Sequence, residues 1–343
     1  MDKYEQLLRE TIRAQNKSTG TADAYCHWWN RYLSWCKSNH IGKETRAEVA
    51  VERFLSYLAN DRDVSANTQN QAFSALCFMY RDCLKRPLQD VQALRAKRPD
   101  RVRDFLSREE VAELFSLLDG ETLLCVQLMY AAGLRIGELA NIRIKDIHLD
   151  RCQLVVREAK GDKDRIVQLP QVLHESIERQ IKSMRVLWRG DRELGYLGVS
   201  LPKAFGRKSK SAHGEFCWYF LFCSDHLSRD PESGKLMRHH KDMSNVARRI
   251  KQAATKMGLP KRITAHSLRH SFSTHSIESG VPIHFVQQLL GHTNLETTER
   301  YLHASVEGAT AQKSPIELLA QELANPTPRE QPEAKPILKL FVG

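Results

Sequence analysis

Through the first hundred residues the apolar positions return at helical spacing. Residues 21–36 (TADAYCHWWNRYLSWC) place Tyr25, Trp28, Trp29, Tyr32, Leu33 and Trp35 mostly on one helical face, and residues 49–58 and 65–84 repeat the pattern. Most of these aromatics are expected in a core. Residues 85–103 (KRPLQDVQALRAKRPDRVR) break the pattern with two prolines and many charges, as a linker does. Ser107 with Glu110 three residues on makes a capping box flanked by Leu106 and Val111, so a second domain begins near Arg103. Its first long helical stretch is predicted over residues 114–130. The period changes to two at residues 155–170 (VVREAKGDKDRIVQLP), which read as a hairpin with Lys160 at its tip. Near the end, residues 314–323 (SPIELLAQEL) form a short amphipathic helix capped by Ser314, followed by a proline-rich tail that cannot pack as a regular element. The predicted fold class is mainly α with a small antiparallel β-sheet (α+β), in two domains.

Length and charge narrow the partners. The 343 residues suffice for two domains and a sizeable core. The net charge of +11 favours an anionic polymer, and it is local: residues 195–270 hold fifteen Lys and Arg against five Asp and Glu. Eight cysteines without paired spacing suggest reduced thiols. With no signal-peptide core in MDKYEQLLRE and no apolar run of spanning length, a soluble, cytoplasmic protein is expected.

The densest chemistry lies in residues 264–301 (TAHSLRHSFSTHSIESGVPIHFVQQLLGHTNLETTERY), read as an amphipathic segment flanked by reactive groups. Arg269 offers a planar, permanently charged fork for two phosphate oxygens, so it can neutralise charge where other enzymes use a metal. His266 and His292 can donate hydrogen bonds or move protons near neutral pH. Tyr301 is a slow nucleophile whose phenolate leaves again readily, so a phosphotyrosyl bond conserves the energy of a broken DNA linkage. The bland alternative is a basic amphipathic region with a core tyrosine. Upstream, Arg135 in YAAGLRIGEL precedes Glu138 by three residues, one face of a helix starting there. Lys160 on its tip could enter a groove and protonate a leaving oxygen.

Arg135, Lys160, His266, Arg269, His292 and Tyr301, in that order and context, resemble the active site of the tyrosine recombinases. The resemblance covers nearly all of the chain. It implies a C-shaped clamp of two domains, a helical core-binding domain (1–98) joined by the linker (85–103) to a catalytic domain (104–313), with a C-terminal helix and tail (314–343). It further implies that Arg135, Arg269 and His292 hold the scissile phosphate and Tyr301 attacks it. Lys160 serves as acid, His266 as proton acceptor or phosphate ligand, and Glu138 orients Arg135 or His266. No metal and no cofactor are implied. The partners implied are DNA and three further copies of the chain in a tetramer on two sites, the C-terminal helix docking on a neighbour. A helix closing its own domain is the alternative.

Residues 195–241 depart from the shortest family members. Trp218, Pro231, His239 and His240 there are similar to the insertion of the integron integrases, as are residues 65–81, 266–274 and 314–318. That subfamily uses the insertion to hold bases protruding from folded single-stranded cassette sites, and aromatic and imidazole faces suit stacking. A core strand position is the other reading of Trp218. Zinc on Cys217, Cys223, His226, His239 and His240 lacks the paired cysteine spacing. Asn67, Gln69 and Asn70, in a polar run opening a helix, are candidates for base or phosphate contacts, against a merely solvated helix start. A Xer-like or phage-type recombinase acting on duplex sites, a type IB topoisomerase, and a DNA-binding protein without catalysis are the rival classes.

Overall fold

A computed structural model describes residues 2–15, 17–42, 44–93, 104–159, 163–202, 205, 209, 211–230, 233–291 and 316. The chain divides into two compact units, Met1–Val102 and Arg103–Gly343.

The first unit is helical: α1 (Lys3–Ala14), α2 (Thr19–Ser38), α3 (Ala47–Asn60) and α4 (Ala66–Phe78), the last running on into a π-helical turn at Met79–Cys83. Ser18 and Ser65 start α2 and α4 by accepting the N–H of Thr21 and Thr68, each satisfying one of the orphan donors of a first turn. Trp28, Trp29, Tyr32, Phe54, Leu55, Leu58 and Leu76 meet in the core, as the helical period predicts. Part of the stretch read as linker belongs to this packing. Leu88, Val91 and Ala93 lie against the same core and the Gln92 N–H donates to Glu52. Their apolar side chains outweigh the neighbouring charges.

In the second unit Ser107 caps α5 (Arg108–Ser116) with the full capping box: its hydroxyl accepts the Glu110 N–H, and the Glu110 carboxylate accepts the Ser107 N–H. The single helix expected over 114–130 is two, because α6 (Gly120–Ala131) starts afresh after a break whose Gly120 has φ +52°. After a five-residue α7 (Ile136–Ala140), an antiparallel sheet follows in the order β1 (Ile147–His148), β2 (Gln153–Ala159), β3 (Lys163–Gln168), with Leu154 opposite Val167. The hairpin is therefore present. Lys160 lies outside the described residues. Next come α8 (His174–Glu193), the antiparallel pair β4 (Cys223–Arg229) and β5 (Leu236–His240), then α9 (Ser244–Lys256), α10 (Ala265–Glu278) and α11 (Ile283–Leu290).

α10 is not amphipathic. Residues 267–276 are all buried. The serines tolerate this because their hydroxyls bond back along the helix, Ser271 to the Ser267 carbonyl and Ser273 to the Arg269 carbonyl. Leu268 and Phe272 join Leu128, Tyr130, Val167, Val286 and Leu290 in the main core. Ile316, 4 % exposed, belongs to the same core; the rest of the helix expected over 314–323 lies outside the described residues.

Candidate active site

α10 carries Arg269 into the core. There its guanidinium donates from Nη1 to the Gly133 carbonyl at 2.6 Å and from Nη2 to the Leu290 carbonyl at 2.5 Å. Gly133 has φ +59°, and a Cβ on it would stand 2.6 Å from Phe272 Cδ1, so only glycine lets this loop lie against α10. Two residues later Arg135 is the N-cap of α7. The two arginines converge on one carboxylate. Glu138 accepts the Arg135 N–H at 2.8 Å and its Nη1 at 2.7 Å, while Arg269 Nη1 stands 3.7 Å away.

A third arginine completes the cluster. Arg165 on β3 spans both Glu138 oxygens at 3.0 and 2.7 Å and sends its Nε–H to the Leu289 carbonyl at 2.7 Å. Burial pushes the Glu138 carboxyl up, but Arg165, the Arg135 N–H and Arg269 together overcome it and hold it at about 2. One buried carboxylate thus balances three guanidiniums, leaving a local excess of positive charge. Arg135 is the accessible member, its side chain 29 % exposed against 1 % for Arg269. Such an excess, fixed by backbone carbonyls before any anion arrives, is suited to stabilising charge on a phosphate.

The structure brings Arg135, Glu138 and Arg269 together, Glu138 accepting hydrogen bonds from Arg135 and standing 3.7 Å from Arg269. His266 lies one helical turn before Arg269, exposed, its ring edge-on to His270 at 4.4 Å. α11 ends at Gly291, whose φ of +64° closes the helix immediately before His292. His292 and Tyr301 lie outside the described residues, as does Pro231.

Arg165 escaped the sequence reading, although the strand contains its signal. Along β3 the alternation puts Arg165 on the side of buried Val167 and leaves Ile166 58 % exposed. A charged residue takes the inward position and an apolar one the outward. That inversion marks an internal partner.

Among the candidate DNA contacts the outcome is mixed. Gln69 is corrected: it is 1 % exposed and its amide donates to the Leu55 carbonyl at 2.9 Å, so it ties α4 to α3 instead of facing a ligand. Asn67 is exposed and Asn70 half-buried at the start of α4. Trp218 is half-buried in a 3-10 turn (Phe216–Trp218), not in a strand. It stacks on Phe205 with centroids 4.4 Å apart, and Lys145 Nζ sits 4.1 Å from its ring. Arg143 lies 4.2 Å from the Phe220 ring, to which His240 is edge-on, and donates to the Trp218 and Ser200 carbonyls. His239 Nδ1 is 3.3 Å from Ser200 Oγ, and burial pushes its pKa below the usual value. Beneath this surface Asp191, 3 % exposed, accepts from Arg238 Nε at 2.8 Å and from the Tyr219 hydroxyl at 3.1 Å, a clasp between α8 and β5.

Comparison with known proteins decides the family. The phage integrase family profile matches residues 104–307, and the profile of the phage integrase N-terminal SAM-like domain matches residues 5–90. The chain belongs to the phage integrase family. It is a tyrosine recombinase, an enzyme of site-specific DNA recombination. An integrase/recombinase of Escherichia coli is 38 % identical over 91 % of this chain and 92 % of its own length. The tyrosine recombinase XerA of Thermococcus kodakarensis is 32 % identical, over 85 % and 88 %. The fold is that of solved recombinases. The Tn1549 transposon integrase in complex with transposon right end DNA gives a TM-score of 0.56 at 15 % identity, over 94 % of this chain and 99 % of that one. XerH bound to a palindromic difH substrate gives 0.56 at 19 %, over 88 % and 81 %. Among the described residues of this tyrosine recombinase, no helix is long and apolar enough to cross a membrane.

Proposed function

We propose that this recombinase is an integron-type integrase, which inserts and excises cassettes at folded single-stranded attachment sites. The observation that carries the chemistry is the single carboxylate, Glu138, shared by Arg135 and Arg269. In the proposed reaction these arginines and His292 hold the non-bridging oxygens as the phosphorus becomes five-coordinate. Tyr301 attacks in line, forming a 3′-phosphotyrosyl bond as the bond to the 5′-oxygen breaks. Lys160 protonates that oxygen, and His266 accepts the tyrosine proton or supports the phosphate. Attack by a 5′-hydroxyl of the partner strand then reverses the step and releases Tyr301. The energy of each broken linkage is kept in the next, so the scheme draws on neither metal nor nucleotide.

The half-buried Trp218, with Lys145 against its ring, supports the single-stranded reading, since an extruded base offers a flat face and a nearby phosphate. His239, His240, Asn67, Asn70 and Pro231 complete the proposed DNA surface. We assign residues 1–98 to core binding, 104–313 to catalysis, and 195–241 to cassette-site recognition. Four subunits assemble on two sites in this scheme, in the cytoplasm, where the DNA is. Exchange of the C-terminal helix between subunits would move Ile316 from its own core to the equivalent place in a neighbour.

Trapping on nicked suicide substrates tests the reading. Covalent capture of a folded single-stranded cassette site, lost in Tyr301→Phe and weakened in Trp218→Ala or His240→Ala, is the expected result. Capture of fully duplex sites alone would move the enzyme to the Xer or phage class. Capture retained in Tyr301→Phe would remove the nucleophile.

A further inference from the structure

Glu138 offers two oxygens to three guanidiniums, and their distances are unequal. Arg165 takes both oxygens, at 3.0 and 2.7 Å, and Arg135 takes one, at 2.7 Å. Arg269 Nη1 stops 3.7 Å from Oε2, beyond hydrogen-bonding distance, on the oxygen that Arg165 Nη2 already holds. Arg165 itself is 8 % exposed and also anchors to the Leu289 carbonyl, next to the Leu290 carbonyl that Arg269 uses. Its reach is inward. It faces the carboxylate and the end of α11, while Arg135 faces out.

We propose that Arg165 is a positioning residue for strand cleavage: it saturates Glu138 so that Arg135 and Arg269 keep the orientation in which they meet the scissile phosphate. This rests on the phosphate-gripping roles proposed above for those two arginines. Without Arg165 the carboxylate keeps its charge and loses two donors. Among the described residues the nearest replacement is Arg269 Nη1, about one ångström too far to bond now and with an ion-pairing attraction drawing it in. Collapse of Arg269 onto Glu138 turns its fork away from where the phosphate charge develops. Misplacement on that scale costs about 10²-fold in rate, with little effect on DNA binding, which many distributed phosphate contacts supply.

The test compares native and methylphosphonate suicide substrates, the second lacking the negative charge that the arginines serve. Arg165→Met is expected to lower covalent capture on the native phosphate by about 10²-fold at unchanged DNA affinity, with the loss shrinking to about threefold or less on the methylphosphonate. Arg135→Ala serves as the reference and should show the same narrowing. Adding Glu138→Gln to Arg165→Met should restore capture, because a neutral amide no longer attracts Arg269. Should Arg165→Met not fold, Arg165→Lys carries the same comparison, since an ammonium cannot span both oxygens. Equal losses on both substrates for the Arg165 variants, with narrowing for Arg135→Ala, would make Arg165 a structural residue only and overturn the proposal. Equal losses for Arg135→Ala as well would instead overturn the phosphate roles on which it stands.

Discussion

Two of the buried carboxylates gripped by arginine in the second unit, Asp191 and Glu138, differ in the number of guanidiniums they meet. Asp191 meets one guanidinium, from Arg238, with the Tyr219 hydroxyl as a further donor. Glu138 meets three. The first pair is neutral and closed: it joins α8 to β5 and leaves no charge for a ligand. The second is over-supplied with cations, and one of them, Arg135, keeps 29 % of its side chain in contact with solvent. A buried ion pair by itself therefore says little about function. The stoichiometry around the carboxylate separates a clasp from the anion site proposed at Glu138.

Four perturbations sharpen or break that contrast. The largest effect is expected at the clasp. Arg238→Met strands the Asp191 charge and should destabilise the second unit by about 3–5 kcal/mol, whereas Asp191→Leu/Arg238→Met should cost far less. Chemical denaturation measures both, and an equal cost for the single and double variants contradicts a closed pair. At the anion site the loss should appear in rate instead. Arg135→Ala should slow covalent capture by about 10²–10³-fold, or roughly 3–4 kcal/mol of barrier, with an unchanged melting temperature. A fall in melting temperature matching that at Arg238 would erase the distinction.

Acid provides the third. The Glu138 carboxyl stands at about 2, below its ordinary 4.5, so its contribution to stability is complete above pH 4.5 and is lost as pH falls toward 2. That window is worth about 3 kcal/mol. His275, held at about 4 by burial, loses its own contribution earlier, as pH falls from 6.5 toward 4. In a pH series of unfolding free energies, Glu138→Gln should flatten the lower window and leave the upper one. Persistence of the lower window in that variant would mean that another group titrates there. The smallest effect belongs to the backbone. Gly133→Ala puts a side chain at φ +59° against Phe272 and should cost about 1–3 kcal/mol of stability, read by thermal melting. A neutral outcome would show that the loop carrying the Arg269 acceptor is not pinned.

Much of this was legible in the sequence. Helical period located α2, α3 and α4 of the first unit, the Ser107–Glu110 box started the second, and alternation gave the β2–β3 hairpin. The Arg135–Glu138 spacing foretold their contact. What escaped follows from how polar side chains settle inside a fold. Gln69 looked like a surface amide because nothing local reveals that the Leu55 carbonyl waits across the helix pair. α10 looked amphipathic because a serine counts as polar on any scale, yet its hydroxyl can bond to its own helix and be buried without penalty. Arg165 sat in a strand already read for its lysine, and α8 and α9, rich in charge, were not read as helices. Long-range partners, not local pattern, decide such cases.

The burial of α10 on every side has a consequence for motion. Its amides have no solvent-facing turn through which to fray, so those of residues 267–276 should exchange their hydrogens with water only when the whole second unit opens. Arg269 then has no private breathing mode. The guanidinium proposed to meet the phosphate is tied to the slowest-exchanging segment of the second unit, so it is held in place before substrate arrives.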